Sequence, residues 1–226
     1  MSSPCIQTAA VSTGGTCAFT VQNTAAGSLL IAVARLATTG HTGVAFSDNN
    51  SGVWTTVKIG SNIGTVDSYF GYALNTTGGT KPTISLNYSG GAENAVMCIG
   101  EYPVGSASAL HTSAVHTTGT TGTNPATPNV TPAVGDLLIG AWQGPFTAAS
   151  TSAGTCGASA TLSGKGTSGA GIYSCFEDGI AASAAAQDAT LTYATSSTYA
   201  GALFAFSPPA SGGGAGSGLL RLLGVN

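Results

Sequence analysis

The hexapeptide Gly27-Ser-Leu-Leu-Ile-Ala32 returns 108 positions later as Gly135-Asp-Leu-Leu-Ile-Gly140. Tyr69-Phe-Gly-Tyr-Ala73 has an echo in Ile172-Tyr-Ser-Cys-Phe176, and Ile84-Ser-Leu-Asn-Tyr88 in Ala189-Thr-Leu-Thr-Tyr193. Each series closes on an apolar run that stops at proline, Ala95 to Pro103 and Ala200 to Pro208. A chain that repeats one strand order twice is constrained to a pseudo-symmetric body, here an all-β one. Side chains alternate along a strand, so Leu29, Ile31, Leu137 and Ile139 are expected to face one common core. Leu30 and Leu138 must then face the other way.

The segments between the echoes read as short strands punctuated by turns. Strands are predicted near residues 16–21, 29–36, 44–47, 54–59, 68–73, 83–88 and 95–102. A second series follows near 110–115, 137–142, 158–162, 171–176, 189–193 and 200–206. Asp48-Asn-Asn-Ser-Gly52, Gly78-Gly79, Gly90-Gly91 and Pro208-Pro209 supply the breaks between them. Thr83-Ile-Ser-Leu-Asn-Tyr88 alternates polar and apolar residues, as a half-buried strand does. With 34 glycines, tight turns are plentiful and helix is disfavoured. The one helical candidate is the Ala-rich stretch 179–187, for which a loop between strands is the alternative. Many short strands at regular spacing indicate a sandwich. The expected fold is an all-β, jelly-roll-like β-sandwich over residues 1–208, with pseudo-repeated halves at about 16–104 and 128–208. Residues 116–132, almost without apolar side chains, are expected to form an extended connection between the halves. Residues 209–226 are expected to be a Gly-rich linker followed by a short apolar peptide.

Charge is scarce. The chain carries five Lys or Arg and eight Asp or Glu, only 6% of its residues, against a usual share of about 25%. Ser, Thr, Asn, Gln and Gly must therefore supply the polar surface. The five cations, Arg35, Lys58, Lys81, Lys165 and Arg221, are scattered, and the formal net charge is −3. Nucleic-acid binding requires clustered cations to neutralise phosphates, so no nucleic-acid partner is expected. No apolar run is long enough to span a bilayer, so no membrane partner is expected. Met1-Ser-Ser-Pro-Cys-Ile6 shows no basic segment leading into an apolar one, hence no secretory leader is expected.

Few motifs carry chemistry. Gly164-Lys-Gly-Thr-Ser-Gly169 matches the spacing of a dinucleotide-binding loop, but a strand pattern follows it where that function needs a helix, so a hairpin loop is expected. Asp48-Asn-Asn-Ser-Gly52 starts like a calcium loop and lacks its closing Glu, which leaves a turn as the reading. His111 and His116 fall on opposite faces of a strand, which argues against a shared metal. Nothing selects a catalytic pair among Glu93, Glu101, Glu177 and Asp178; no catalytic residue, cofactor or metal is expected. Cys98 lies in an apolar run and suits a small buried hydrophobe. The other four cysteines make two local pairs, Cys5 with Cys17 and Cys156 with Cys175. These are the disulfides expected if any form in an oxidising setting. Trp54 and Trp142 are candidates for stacking on sugars, with core packing the more common use of such residues.

Gly-Ser/Asp-Leu-Leu-Ile, Ser47-Asp-Asn-Asn-Ser-Gly-Val-Trp-Thr55, Tyr72-Ala-Leu74 and Thr83-Ile-Ser-Leu86 together resemble a group of β-rich accessory structural proteins of tailed bacteriophages and prophages. The likeness covers about residues 18–208; the cysteines and the terminal Leu-rich peptide lie outside it. The resemblance implies a non-enzymatic virion protein, foremost a capsid decoration (cement) protein, otherwise a tail or fibre component. Its partners would be the major capsid protein or other virion subunits, with self-association into a homo-oligomer. It would assemble in a host cytoplasm and end on the particle surface. From other classes come a secreted carbohydrate-binding or adhesin module and a glycan hydrolase. Leu219, Leu220, Arg221, Leu222, Leu223 and Val225 follow the Gly-rich linker, and burial of such aliphatics stabilises by roughly 1.5–3 kcal/mol each. They are expected to dock on another subunit or on the shell, the alternative being that the tail folds back onto its own sandwich.

Overall fold

The computed structural model describes residues 5, 7–11, 16–18, 23–36, 38–50, 52–60, 66–90, 95–103, 108–115, 120–144, 151–156, 161–167, 173–193 and 196–208. Within them lie sixteen strands and no α-helix. They are β1 Gln7–Val11, β2 Thr16–Ala18, β3 Leu29–Leu36, β4 Thr42–Asp48, β5 Trp54–Gly60, β6 Asp67–Ala73, β7 Thr83–Ser89 and β8 Val96–Tyr102. There follow β9 Ala109–Val115, β10 Thr120–Gly122, β11 Leu137–Gly144, β12 Thr151–Cys156, β13 Thr161–Thr167, β14 Tyr173–Ile180, β15 Ala189–Tyr193 and β16 Ser197–Ser207.

All pairing is antiparallel. One large sheet has the order β1-β8-β3-β6-β5, and a three-stranded sheet β2-β7-β4 lies over one of its faces. The second large sheet runs β10-β16-β11-β14-β13, with β9 also on β16, and the pair β12-β15 covers its outer face. Three apolar layers alternate with these four sheets. Between the two large sheets lie Leu29, Ile31, Val33, Phe70, Tyr72 and Tyr102 against Leu137, Ile139, Phe176, Phe204 and Phe206. Leu30, Ala32 and Ala34 point into the layer shared with Phe46, Ile84 and Leu86. Leu138, Leu203 and Cys175 point into the one shared with Ala189 and Leu191. The alternation expected of Leu29/Leu30 and Leu137/Leu138 is therefore observed. Burial on both faces explains why β3, β6, β8 and β11 are buried along their whole length and read as continuous apolar runs. β7, with one face toward solvent, keeps its alternation.

Close packing between the layers depends on glycine. A Cβ on Gly100 of β8 would sit 2.6 Å from Cζ of Phe176, and one on Gly201 of β16 would sit 2.5 Å from Cζ3 of Trp142. Gly27 and Gly135, which open the repeated hexapeptide, both take positive φ, 86° and 91°, a conformation that glycine adopts without penalty. The repeat thus begins with the same turn into β3 and β11.

Three expectations change. Stretch 179–187 holds no helix: β14 runs through Ile180, and Gln187 exchanges backbone hydrogen bonds with Val130. Nine residues could not offset the cost of helix nucleation while pairing with 126–130 was on offer. Stretch 116–132 is more than a connection. It contains β10, and Ala126 and Val130 bridge to Thr190 and Gln187. The echo of β6 in β14 is displaced by three residues. Val33 faces Phe70 and Ala141 faces Phe176, so Phe70 corresponds to Phe176, and Tyr69 to Cys175. β1 and β12 were absent from the predicted strands, and Gly164 sits at an irregularity in β13, between Ser163 and Lys165, where a strand glycine is expected. The described part of that Gly-x-Gly segment is strand and opens no helix.

Candidate functional site

The seam between the two large sheets holds the main concentration of buried polar chemistry. Arg35 is the seventh residue of β3 and Gln143 the seventh of β11. Arg35 lies opposite Ser68 of β6, and Gln143 lies opposite Ser174 of β14. Alternation places all four on the faces that carry Leu29, Ile31, Phe70, Ile139 and Phe176, hence inside the seam. Arg35 is 4% exposed, and Ser68, Gln143 and Ser174 are 0% exposed. Oγ of Ser68 donates to Oε1 of Gln143 at 2.7 Å, joining the first half of the chain to the second. Nε2 of Gln143 and Oγ of Ser174 have no hydrogen-bond partner, although buried polar groups are ordinarily satisfied.

A second polar link crosses the seam toward its other end. The phenol of Tyr102 donates to Oδ2 of Asp178 at 3.0 Å, both groups fully buried. Here again the partners occupy related places: Tyr102 pairs with Leu29 and Phe206 with Leu137, while Tyr72 pairs with Ile31 and Asp178 with Ile139. The related contact is the edge-to-face pair Tyr72–Phe206, with centroids 5.2 Å apart. One arrangement of four strands thus carries an aromatic contact on one side and a hydrogen-bonded carboxylate on the other.

Glu101, Asp136, Glu177 and Asp67 hold local structure. Oε1 of Glu101 accepts from Oγ of Ser28 at 2.8 Å and from N of Ala25 at 3.0 Å, fastening the turn that precedes β3. Oδ2 of Asp136 meets Nδ1 of His111 at 2.6 Å and accepts from N of Ala133 at 2.8 Å. Nε1 of Trp142 donates to Oε1 of Glu177 at 3.3 Å. Oδ2 of Asp67 is 2.8 Å from Nζ of Lys58 and accepts from the phenol of Tyr69 at 3.4 Å. Burial, with the Asp67 charge and hydrogen bond behind it, pushes the Tyr69 phenol up to about 12. Burial alone pushes the Cys17 thiol up to about 11.

The residues proposed from sequence separate sharply. Trp142 is fully buried, packed over Gly201 and beside Tyr199; it has no face for a sugar, and that role is withdrawn for it. Trp54 is half-buried against Phe46, and its Nε1 donates to Oδ2 of Asp48 at 2.7 Å. The Asp48 turn is a turn: Oδ1 of Asp48 accepts from N of Asn50 at 2.7 Å and from N of Gly52 at 3.0 Å. No cluster of three His, Cys, Asp or Glu suited to a metal occurs among the described residues, and no helix there is long and apolar enough to cross a membrane. Cys17 is a free thiol, so the expected Cys5–Cys17 pair is not bridged; the side chain of Cys156, and with it the expected Cys156–Cys175 pair, lies outside what the structure describes. The reason for the first pair is topological. Cys5 packs against the seam, whereas Cys17 lies in the layer under β2 and β7, across the β1-β8-β3-β6-β5 sheet. Leu219, Leu220, Arg221, Leu222, Leu223 and Val225 lie outside the described residues. Sequence reading missed Arg35, Gln143 and Ser174, yet alternation from Leu29 and Leu137 already puts Arg35 and Gln143 on a buried face. No family model matches the chain, and neither a curated protein nor a solved structure does.

Proposed function

We propose that this chain is a non-enzymatic structural protein of a bacteriophage virion, a decoration protein set on the capsid surface, built from two pseudo-repeated jelly-roll halves packed back to back. The observation that carries the reading is strand order. The orders β1-β8-β3-β6 and β2-β7-β4 in the first half, and β9-β16-β11-β14 and β12-β15 in the second, support a jelly-roll reading, an architecture used by viral capsid proteins among others; β5, β10 and β13 depart from it by pairing with β6, β16 and β14. A body of this kind suits load-bearing use. It has three apolar layers, Asp48, Glu101, Asp136 and Asp178 are engaged on turns and at the seam, and its surface relies on neutral hydrogen-bonding groups. The resemblance to phage accessory proteins points the same way. The terminal segment carrying Leu219, Leu220, Arg221, Leu222, Leu223 and Val225 would dock on the major capsid protein or a neighbouring copy.

Mass spectrometry and cryo-electron microscopy of purified particles, from cells that carry the gene, test the proposal. The chain is expected at a fixed copy number, with its β body on the outer surface. Particles that form in cells expressing the protein yet contain none of it would overturn the reading. A chain ending at Ser217 is expected to fold and to lose occupancy on the particle; full occupancy would sink the docking role.

A further inference from the structure

We infer that, in the free chain, the apolar peptide 219–225 seats on a platform at the end of its own second half, built by residues 130–136 and 180–187. Among the described residues the large hydrophobic side chains left exposed are Val53, Val134 and Ile180, and the last two share this end. The two segments run side by side and are clamped twice. N of Val130 donates to O of Gln187 at 2.9 Å and N of Gln187 to O of Val130 at 2.8 Å; N of Gly135 donates to O of Ala181 and N of Ala181 to O of Asp136, both at 2.8 Å. On this frame Val134 is 68% exposed and Ile180 38%, and Ala182, Ala184, Ala185 and Ala186 are exposed as well. The one charged residue of the two segments, Asp136, is buried. Single exposed apolar side chains are ordinary on a protein surface, whereas a contiguous group of them marks a contact surface.

Strand order selects the occupant. Phe206 of β16 and Ile180 of β14 flank Leu137 on its two sides, so β16 ends about 10 Å from Ile180, two strand spacings away. Ten residues, 209–218, separate that end from Leu219, and ten extended residues reach up to about 33 Å. The peptide they lead to holds four leucines and a valine and no carboxylate side chain, which suits a platform without exposed charge. A short tether keeps its far end at an effective concentration on the order of millimolar, above that of a second copy in dilute solution, so the chain's own platform is filled first. The first half offers no equal seat. There Gly27 bonds to Thr76 as Gly135 bonds to Ala181, and the neighbouring Thr77 donates its hydroxyl to O of Asn50 at 2.9 Å. The apolar version thus stands on the half whose last strand leads into the tail. This seat concerns the free chain and does not rest on the virion reading; on a particle the same peptide would leave it to dock.

Arg221 lies in the middle of the peptide and gives the test its readout, because trypsin cleaves after it. The full chain is treated with trypsin under native conditions, and loss of residues 222–226 is followed by intact mass. A synthetic peptide of residues 211–226 serves as the fully accessible reference. Cleavage at Arg221 is expected to be at least several-fold slower in the chain than in the peptide, and equally slow at every protein concentration. Val134→Asp places a charge on the exposed centre of the platform and is expected to bring the rate up to that of the peptide. Should that variant not fold, Ala185→Asp, also at an exposed position, is expected to do the same. Cleavage of the parent chain as fast as the peptide, or undiminished protection in the folded variant, would overturn the seat. Protection that grows with protein concentration would place the peptide on a second copy and overturn it equally.

Discussion

The rings of Phe70 and Phe204 stack with their centroids 3.9 Å apart and their planes 18° from parallel. One belongs to the first half of the chain and the other to the second. Both are fully buried in the layer that the two large sheets share, so this contact couples the halves directly. Phe70→Ala should cost about 3–5 kcal/mol, the range for a large aromatic removed from a core. The loss should appear in a single denaturant transition monitored by far-UV circular dichroism, because opening the seam strips one apolar face from both large sheets at once. Two separated transitions would show that the halves unfold independently. A double-mutant cycle with Phe204→Ala should return a coupling energy of about 0.5–1.5 kcal/mol, the share expected of an aromatic pair beyond its buried area.

Gly100 gives a complementary prediction in the direction of overpacking. Its missing side chain makes room for Phe176 from the opposing sheet, with Cζ only 2.6 Å from where a Cβ would stand. Gly100→Ala should therefore destabilise by about 1–3 kcal/mol. Gly100→Ala combined with Phe176→Leu should recover part of that loss. If the single variant is as stable as the parent, the two sheets are not packed as closely at this point as described.

At Asp48 the carboxylate accepts from two backbone amides and from the indole of Trp54. Asp48→Ala leaves all three donors without it. A loss of about 1.5–3 kcal/mol is expected, as for hydrogen bonds to a charged group. Calcium should leave the melting temperature of the parent protein unchanged, since the same oxygens are engaged by the chain. A calcium-dependent rise would restore the metal reading of this loop.

The high pKa values of Cys17, about 11, and Tyr69, about 12, fix the sign of an alkaline effect. Each group ionises more readily in the unfolded chain, near pH 9 for the thiol and 10 for the phenol. The unfolded state then holds fewer protons than the folded one, so stability falls as pH rises. The melting temperature should be insensitive to these two groups below about pH 9 and decline from there through about pH 12. Cys17→Val should remove the lower part of that decline and Tyr69→Phe the upper part. Alkylation at pH 8 should leave Cys17 intact in the folded protein and modify it after denaturation. Rapid modification of Cys17 under native conditions would contradict its burial.

The sequence carried the large apolar strands and their facing because Leu29, Leu30, Leu137 and Leu138 sit in an unbroken repeat whose alternation has one solution. It could not carry the exact match of β6 with β14, since Tyr69-Phe-Gly-Tyr-Ala73 and Ile172-Tyr-Ser-Cys-Phe176 share composition rather than register. Register is set by hydrogen bonds to Leu30–Leu36 and Leu137–Gly144, which are distant in sequence. The Ala-rich stretch 179–187 reads as helix or loop by propensity, but β14 runs through Ile180 and Gln187 pairs with Val130. Trp142 and Trp54 look equivalent as residues in strands; only the layers show that one is sealed in and the other lies near the surface. The seam polar group was legible only in part, because a buried Arg35 follows from alternation whereas its partners come from three other strands.

The seam has one more consequence, for how this protein can change. Phe70 lies on Phe204, while Phe176, the counterpart of Phe70, occupies the space above Gly100, the counterpart of Phe204. That is the geometry of an isologous dimer written into one polypeptide. In a true dimer every substitution is felt twice, and each side chain must suit a copy of its own surroundings. A single chain is released from that rule. A phenyl ring can stand where its counterpart is a hydrogen atom, and a carboxylate where its counterpart is a tyrosine. The two sides can drift apart like the halves of a lock and its key, with no dilution that could separate them.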